Sequence, residues 1–443
     1  MLHPNRSWRS WGRVIQAEHL IGRPTHRGEL PAVMAQAQER GLSALPVGLG
    51  RSYGDTNLNP GAALIDMRGL DRFMAFDAET GLLTCEAGVS LSQILHMAVP
   101  RGWFLPTTPG TRYVTVGGAI ANDVHGKNHH RAGTFGTSVR RLGLWRSDRD
   151  RVAEIGPNQE PELFAATVGG LGLTGVIVWA EIQLVRTPSS HLDQRLEPFG
   201  ALADFFRIAE QASARYEHTV AWIDCTASGP RLGRGLFTLA NWAQDGQRVV
   251  HSDRAGPAMP FEAPAFALNP LTLRAFNALY YAKGAMAAGD SKVHYTQAFY
   301  PLDAIRRWNL LYGPRGFYQY QCVTPAATAP EAMTEILRRV ARSGEGSFLA
   351  VLKTLGEAPS PGLLSFPTPG VTLALDFRNR GQETLDLLAV LDTIVFEAGG
   401  RLYPAKDGRM SGAALRAGYP ALDRFTPHLD PALSSAFWRR ISA

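Results

Sequence analysis

The sequence is poor in cysteine and in lysine, and both shortages limit the chemistry it can carry. Its three cysteines, Cys85, Cys225 and Cys322, lie far apart among 443 residues and form no C-x-x-C pair. They predict neither a disulfide framework nor a thiolate zinc site, and they fit a reducing compartment. Only five of the 45 basic residues are lysines. Those few lysines are therefore candidates for chemistry that needs a compact ammonium group with an adjustable pKa.

The sequence also lacks a signal peptide and a convincing membrane span. The N-terminus is basic but has no apolar stretch of about 7 to 15 residues. The charge-free run at 163–180 contains four glycines and is typical of a buried strand with a glycine turn. We expect a cytoplasmic protein. Contact with the inner face of the membrane stays open, because Trp8 and Trp11 among N-terminal arginines fit either a lipid interface or a docked arm.

Clusters of one charge are missing too. The net charge is +6, but the arginines are scattered. Nucleic-acid binding is therefore not expected, whereas a phosphorylated or lipid-phosphate substrate is compatible with this balance. An apolar fraction of 45% and a charged fraction of 19% are typical of globular proteins, and the length predicts two or three domains.

Strand and helix patterns divide the chain near residue 190. Before it, short β-branched runs are broken by glycine, and helices are predicted at 26–41 and, after the N-cap Ser90, at 90–101. After residue 316, strands at 316–323, 348–353, 371–377 and 401–405 alternate with two helices. The apolar faces of these helices are formed by Met333, Ile336, Leu337 and Val340, and by Leu387, Leu391, Ile394, Val395 and Ala398. This order predicts a split β-α-β arrangement with helices on one face of an antiparallel sheet.

Two glutamines mark the other face of that sheet. Alternation along 316–323 places Gln319 and Gln321 together, with Tyr318 and Tyr320 opposite. Because buried amides need partners, we expect the glutamines to line a polar cavity; an ordinary exposed sheet face is the alternative.

Three glycine-rich segments carry the strongest functional signal. They read G-L-G-R-S-Y-G-D at 48–55, P-G-T-R-Y-V-T-V-G-G-A-I-A-N-D-V-H-G-K-N-H-H at 109–130 and V-G-G-L-G-L-T-G-V-I at 168–177. The glycine spacing of the first is not that of a Rossmann fingerprint. Because the three segments join short strands, they predict a cleft that is lined by main-chain atoms. Such a cleft suits a dinucleotide with a large planar head group.

The histidines at the end of the second segment do not predict a metal site. His125 and His129 are four residues apart, but no carboxylate or cysteine completes a ligand set. We interpret His125 as a hydrogen-bonding or proton-transferring group beside a cofactor, and His129 and His130 as structural or solvated.

These segments resemble the FAD-binding half of the vanillyl-alcohol-oxidase superfamily, and more closely the decaprenylphosphoryl-ribose oxidase family. The similarity continues through Q-Y-Q, V-L-K-T-L-G, S-F-P-T-P-G and G-G-R-L-Y-P-A-K-D. It implies an α+β fold, with a PCMH-type FAD-binding domain of two α/β subdomains at 1–190, completed by 401–443. A substrate domain at 191–400 would contain the antiparallel sheet covered by helices on one face.

The resemblance also implies which residues hold FAD. Arg51 stands where some superfamily members attach the flavin through a histidine, so non-covalent FAD is expected. The implied cofactor-binding residues are Gly48, Leu49, Gly50, Arg51, Ser52, Tyr53, Gly54, Gly110, Thr115, Val116, Gly117, Gly118, Asn122, His125, Ile177 and Tyr403.

The implied reaction is oxidation of a secondary alcohol of a sugar, most simply C2 of a polyprenylphosphoryl pentose, as the first half of an epimerisation. Lys406 or His125 would be the catalytic base, with Lys406 favoured. The sugar would be surrounded by Tyr53, Lys127, Gln319, Gln321 and Lys353. An NAD(P)H-dependent short-chain reductase is the implied partner.

Three positions depart from the family pattern. Ala374 stands where mycobacterial members carry a cysteine attacked by nitroaromatic inhibitors, Thr372 where asparagine is usual, and Phe299 where a tyrosine is seen. These changes affect substrate identity and predict insensitivity to thiol-directed inhibitors. Two alternatives remain: an alditol or aldonolactone oxidase that uses O₂, and a non-catalytic flavin fold that serves as a scaffold for the reductase.

Overall fold

Four β-sheets organise the chain in the computed structural model, which describes residues 1–149, 151–252, 256–264 and 268–443. The strands in these ranges are β1 (His3–Asn5), β2 (His19–Gly22), β3 (Ala44–Val47), β4 (Ala63–Asp66), β5 (Phe73–Phe76), β6 (Leu82–Glu86), β7 (Trp103–Phe104), β8 (Val139–Arg146), β9 (Arg151–Ile155), β10 (Val176–Gln183), β11 (Val185–Arg186), β12 (His191–Phe199), β13 (His218–Ile223), β14 (Gly235–Trp242), β15 (Gly289–His294), β16 (Phe317–Thr324), β17 (Val351–Leu355), β18 (Gly370–Arg378) and β19 (Arg401–Leu402).

The α-helices connect and cover these sheets. They are α1 (Leu30–Gln38), α2 (Leu91–Ala98), α3 (Val116–Ala121), α4 (His129–Ala132), α5 (Pro161–Thr167), α6 (Leu202–Ser213), α7 (Pro270–Met286), α8 (Tyr295–Phe299), α9 (Ala329–Ser343), α10 (Gln382–Glu397), α11 (Gly412–Gly418), α12 (Leu422–Phe425) and α13 (Ala436–Ser442). None of the helices in the described ranges is both long and apolar enough to cross a membrane.

Both predicted N-terminal helices are present, but each is shorter than its sequence pattern. α2 begins directly after Ser90, whose hydroxyl accepts a hydrogen bond from the backbone of Gln93 while the Gln93 side chain returns to the Ser90 backbone. This reciprocal pair is a capping box, which fixes the start of the helix. The pattern at 26–41 yields only α1, because its first turn is a 3₁₀ helix at Arg27–Glu29.

The N-terminal half contains two sheets that position the glycine segments. The first has the order β1-β2-β4-β3, in which β2, β4 and β3 are parallel. The second is antiparallel, with the order β5-β6-β10-β8-β9. The segment at 48–55 leaves the end of β3, and the segment at 168–177 enters β10. The two turns are therefore held by two different sheets.

The second half is built on an eight-stranded antiparallel sheet with the order β15-β12-β14-β13-β17-β18-β16-β19. The strands and helices predicted after residue 316 are confirmed as β16, α9, β17, β18, α10 and β19. Strands β12 to β15 were not predicted from the sequence, and they extend the sheet from four strands to eight. The fold is α+β, as predicted.

The two faces of this sheet differ in polarity. Helices α6, α9 and α10 pack on one face, where Met333, Ile336, Leu337 and Val340 are fully buried. Tyr320 belongs to this apolar core, whereas the opposite face carries Gln319 and Gln321, as the alternation predicts.

The C-terminal segment connects the two halves. β19 pairs with β16 of the large sheet. Farther on, the backbone N–H of Ser434 donates to the carbonyl of Ala44 in β3, and Arg440 pairs with Asp55 at 2.9 Å. The division into 1–190 with 401–443 and 191–400 stays a prediction.

Candidate active site

The three glycine segments meet around one cavity of about 790 Å³. Residues from 46–57, 109–124 and 171–177 line it, together with Gln319, Tyr403 and Lys406 from the second half and the C-terminal segment. A volume of this size is within the range of small-molecule and cofactor sites. The segments that the sequence places far apart therefore form a single site.

Close packing of glycine holds the first two segments together. A side-chain carbon added at Gly48 would lie 2.2 Å from the hydroxyl oxygen of Thr115, and Gly50 has a φ of +65° that favours glycine. Thr115 caps α3 by accepting a hydrogen bond from the backbone of Gly118. The backbone of both turns therefore faces the cavity without side chains in between.

Unpartnered polar groups on the cavity wall fit a polar cofactor. Within the described residues, neither side-chain amide atom of Asn57 has a hydrogen-bond partner, and the same is true of the Thr56 hydroxyl and the Asn122 amide oxygen. All three residues line the cavity. Buried polar groups normally have partners, so this wall requires a ligand rich in donors and acceptors, as FAD is.

The N-terminal arm closes one side of the cavity. Trp11 lines it, its backbone donates to Ser52, and the Arg51 guanidinium lies 4.3 Å from the centre of its ring. The indole nitrogen of Trp8 donates to the Asn57 carbonyl. Both tryptophans are thus bound to the first glycine segment or to the residues just after it, as expected for a docked N-terminal arm.

Most of the predicted cofactor-binding residues line this cavity. They are Gly48, Leu49, Gly50, Arg51, Ser52, Tyr53, Gly110, Thr115, Gly117, Gly118, Asn122, Ile177 and Tyr403. Three do not: Val116 lies in the apolar core, Gly54 packs against the backbone of Asp407, and His125 lies in a neighbouring polar cluster. Their assignment as FAD contacts stays a prediction.

Lys406 enters the cavity from a turn that is fastened to the first glycine segment. The backbone of Tyr53 donates to the Ala405 carbonyl, and Gly54 leaves room for the Asp407 backbone. This packing places Nζ of Lys406 3.9 Å from the centre of the Tyr53 ring. Desolvation lowers the pKa of Lys406 to about 7, although the Asp376 carboxylate opposes the shift. Near neutral pH the amine is therefore partly uncharged.

Asp376 is the site residue that the sequence analysis missed. It is fully buried on β18, and its carboxylate accepts hydrogen bonds from Gln319 at 2.7 Å and from Tyr312 at 3.1 Å. Burial raises the pKa of Asp376 to about 7. The period of two along the strand could have revealed it. Asp376 lies two positions after Ala374 and four after Thr372, so all three lie on the polar face of an otherwise apolar strand.

A second polar cluster lies around His125. Nζ of Lys353 lies 2.7 Å from Nδ1 of His125, and the Gln321 amide lies 3.2 Å from Nε2. Burial and the positive charge of Lys353 hold the pKa of His125 well below its usual range. Lys127 donates to the Ala298 carbonyl beside this cluster. Of the predicted substrate residues, Tyr53 and Gln319 line the large cavity, and Lys127, Gln321 and Lys353 do not.

The five lysines of the chain fall into two groups in the structure. Burial lowers the pKa of Lys353 to about 7 and that of Lys127 to about 8, in addition to the shift at Lys406. The other two, Lys283 and Lys292, are exposed. The three whose pKa values are lowered are those that the sequence analysis assigned to the site.

A segment of the second half forms the rim of the cavity, and the sequence did not predict it. Leu302, Asp303 and Ile305 to Arg307 line the cavity. Asp303 accepts hydrogen bonds from the Thr111 hydroxyl and the Arg112 backbone, which fastens this rim to the second glycine segment.

Comparisons with known proteins agree with this geometry. Residues 19–151 match the family described as an FAD binding domain. The chain is 37% identical over 410 residues to decaprenylphosphoryl-β-D-ribose oxidase of Mycolicibacterium smegmatis, covering 89% of this chain and 87% of that protein. The chain belongs to the decaprenylphosphoryl-β-D-ribose oxidase family. Like the family, it is an FAD-dependent oxidoreductase that acts on CH–OH groups, with the predicted PCMH-type FAD-binding fold.

Other relatives of the decaprenylphosphoryl-β-D-ribose oxidase family match a smaller part of the chain. L-gulonolactone oxidase of Mus musculus is 31% identical over 188 residues, which are 42% of this chain and 41% of that protein. L-gulono-1,4-lactone dehydrogenase of Mycobacterium tuberculosis is 36% identical over 120 residues, 27% of this chain and 28% of that protein.

The cysteines give a first prediction, which is that thiol-directed electrophiles leave the folded protein unmodified. Cys85, Cys225 and Cys322 are buried, and burial raises the pKa of each to about 12. Ala374 lies on the polar face of β18, paired with Gln321. We expect Ala374→Cys to gain one adduct in the intact mass, and adduct formation by the parent chain would contradict the prediction.

The state of the flavin gives a second prediction. Arg51 offers no nucleophile for a covalent link, so all FAD should leave the protein on acid denaturation. The test compares the visible absorbance of the supernatant with that of the intact holoenzyme, and measures the mass of the precipitated chain. A chain heavier than its sequence by one flavin would overturn the expectation.

Proposed function

We propose that the chain oxidises the C2 hydroxyl of a polyprenylphosphoryl pentose to the 2-keto sugar, as the first half of an epimerisation. The observation that carries the proposal is the desolvated amine of Lys406, which faces the FAD cavity beside Tyr53. FAD, when bound, supplies the two-electron acceptor for such an oxidation. The protein residues must orient the sugar and accept the hydroxyl proton.

The extent of the similarity supports this substrate class over a free lactone. The match to decaprenylphosphoryl-β-D-ribose oxidase covers 89% of the chain, whereas the lactone enzymes match 27% and 42% of it. The substrate half of a flavoenzyme determines which alcohol is oxidised, and a match over 89% of the chain must include most of that half. An aldonolactone oxidase is the second candidate, favoured by the shorter matches to the lactone enzymes.

Lys406 is the base in this proposal, because His125 is already engaged at both ring nitrogens. Nζ of Lys353 lies 2.7 Å from Nδ1, and the amide nitrogen of Gln321, which is a donor, lies 3.2 Å from Nε2. Neither ring nitrogen is therefore open to a substrate proton unless one of these contacts breaks. Lys406 has a pKa of about 7 and needs no rearrangement.

The remaining polar residues orient the sugar. Tyr53 and Gln319 line the cavity, and the Gln319 amide donates to Asp376 at 2.7 Å, which fixes its orientation. Gln321, Lys353 and Lys127 provide further donors next to the cavity. We assign these residues to substrate binding, with His125 as the group that positions Lys353 and Gln321.

The product of the reaction defines two further expectations. A 2-keto sugar must be reduced from the opposite face to complete an epimerisation, so we propose an NAD(P)H-dependent reductase as the partner enzyme. A polyprenyl-linked sugar resides in a membrane, so we propose that the chain works at a membrane surface.

We also propose 1–190 with 401–443 as the FAD-binding unit and 191–400 as the substrate-binding unit.

Substitution of Asp376 should shift the pH dependence of the reaction. The Asp376 carboxylate raises the pKa of Lys406, so Asp376→Asn lowers it further. The neutral amine is then present at a lower pH, and the midpoint of the rise in flavin-reduction rate should move to lower pH. Rapid-mixing measurements under anaerobic conditions across pH test this. Asp423→Asn, an exposed change, is the control, and an unmoved or higher midpoint in the Asp376 variant would refute the coupling.

A substrate panel tests the proposed function. The holoenzyme is offered a prenylphosphoryl pentose, the free pentose, an alditol and an aldonolactone, and product formation and peroxide release are measured. The proposal predicts a keto sugar from the prenylphosphoryl pentose alone. Rapid peroxide release with the lactone, and no product from the lipid-linked sugar, would favour the aldonolactone oxidase instead.

A further inference from the structure

Helix α7 carries an apolar surface that no contact in the described chain covers. Its side chains Leu271, Leu279 and Met286 are 76%, 70% and 90% exposed. They share one helical face with three alanines and two basic residues. We call this set the α7 face; it consists of Leu271, Arg274, Ala275, Ala278, Leu279, Ala282, Lys283 and Met286. An exposed helix of a globular protein normally turns a polar face to water, so this pattern is reversed.

The opposite side of α7 is anchored to the large sheet. Leu273 and Asn277 are buried, and Asn277 donates to Asp224 and to the Ser347 carbonyl. Gly284 packs against Leu236 of β14. The helix is therefore held in place with its apolar side outward.

The charge of α7 is of one sign. Its 17 residues include Arg274 and Lys283 and no acidic residue. The first acidic residue after the helix, Asp290, pairs with Arg195 at 3.3 Å. Apolar side chains flanked by basic ones, with no acidic residue, are typical of helices that lie in the interface of an anionic bilayer.

α7 also begins close to the rim of the cavity. Leu268, just before the helix, packs in one cluster with Leu302 of the rim and with Trp308. Phe276 of α7 contacts Phe348, which stacks on Tyr312, the donor to Asp376. A membrane in contact with α7 would thus lie next to the entrance of the site.

We propose that the α7 face is a membrane-docking surface, which lies on an anionic bilayer and brings the cavity rim to the lipid. The docking itself is independent of the reaction; its use to reach a lipid-linked sugar rests on the proposed function. A bilayer fits better than a second copy of this chain, because two α7 faces would oppose basic residues without acidic partners.

Vesicle binding tests the proposal directly. The holoenzyme is sedimented with vesicles of phosphatidylcholine alone and of phosphatidylcholine with phosphatidylglycerol. We expect binding to the anionic vesicles that weakens with salt, and a loss of about tenfold or more in partitioning for Leu279→Ser with Met286→Ser and for Arg274→Glu with Lys283→Glu.

Matched changes at distant exposed positions are the controls. Val152→Ser with Val390→Ser removes apolar side chains that are 44% and 42% exposed elsewhere, and Arg40→Glu with Arg416→Glu removes two exposed charges. Both controls should bind as the parent does. Equal binding by all variants, or no binding by the parent, would overturn the proposal. So would a parent dimer that only the Leu279 and Met286 changes dissociate, without vesicle binding.

A second readout separates the docking surface from the reaction. Variants of the α7 face should reduce flavin normally with a water-soluble short-chain prenylphosphoryl pentose, and more slowly with a long-chain substrate embedded in vesicles. If the parent reduces flavin with neither substrate but binds vesicles, the proposed function fails and the docking surface stands. If the variants lose activity on the short-chain substrate as well, the α7 face acts in the site itself and the proposal is wrong.

Discussion

We expect the Lys406→Ala variant to reduce its flavin at least about 100-fold more slowly than the parent enzyme, while still binding FAD. The amine of Lys406 faces the cavity with a pKa of about 7, so its removal leaves no equivalent proton acceptor at this position. Anaerobic rapid mixing with substrate measures the rate, and the visible spectrum measures the bound flavin.

Two further variants make this result specific. Lys406→Arg keeps a positive charge but has no usable neutral form, so it should be nearly as slow as the alanine variant. Lys292→Ala removes an exposed lysine outside the α7 face and should react at the parent rate. An active arginine variant would show that Lys406 acts through its charge. If Lys406→Ala reduces flavin at the parent rate, the assignment of the base is wrong.

A single side chain at Gly118 should abolish FAD binding. Gly118 lines the cavity, and outside the backbone of its own helix the only described heavy atom within 4 Å of a carbon added there is the Thr115 hydroxyl oxygen, at 3.1 Å. In Gly118→Leu the backbone therefore keeps its conformation, and the side chain occupies space that the cofactor needs. The purified variant should be colourless and folded, as measured by its visible spectrum and far-ultraviolet circular dichroism.

Gly28 provides the matched control for this change. A carbon added at Gly28 meets no heavy atom within 4 Å, and the residue lies outside the cavity lining. Gly28→Leu should retain one FAD per chain. A yellow Gly118→Leu protein with the same flavin content would mean that FAD binds elsewhere than between the three glycine segments.

Local patterns allowed much of the cofactor site to be predicted from the sequence. Glycines at 48, 50, 117 and 118 occupy positions where side chains have no room or would fill the cavity. Alternation along β16 placed Gln319 and Gln321 on the polar face, because the side-chain period of a strand is two. Each of these features depends on a few consecutive residues.

Features that depend on distant contacts were not predictable in this way. Asp376 influences Lys406 although the two are 30 positions apart, because β18 and the turn after β19 are brought together only in the folded sheet. The rim at 302–307 is fastened beside the cavity by the contact of Asp303 with Thr111, which are 192 positions apart in sequence. The outward orientation of the apolar side of α7 could be recognised only from the exposed areas of its side chains, because its sequence alone resembles a buried helix.

The three departures from the family pattern lie on the substrate side. Thr372 accepts a hydrogen bond from Gln321, and Ala374 pairs with Gln321 across the sheet. Phe299 is buried beside His218 and follows Ala298, whose carbonyl holds Lys127. Because these positions contact the proposed substrate residues, they are where a change of sugar or lipid would be accommodated.

One anaerobic titration tests the central claim most directly. The purified holoenzyme is titrated with a prenylphosphoryl pentose while the visible absorbance of its flavin is recorded and the sugar product is identified by mass. We predict complete bleaching at one equivalent of substrate per flavin, with formation of the 2-keto sugar. A flavin that stays oxidised with this substrate, in a protein that an aldonolactone bleaches fully, would contradict the claim.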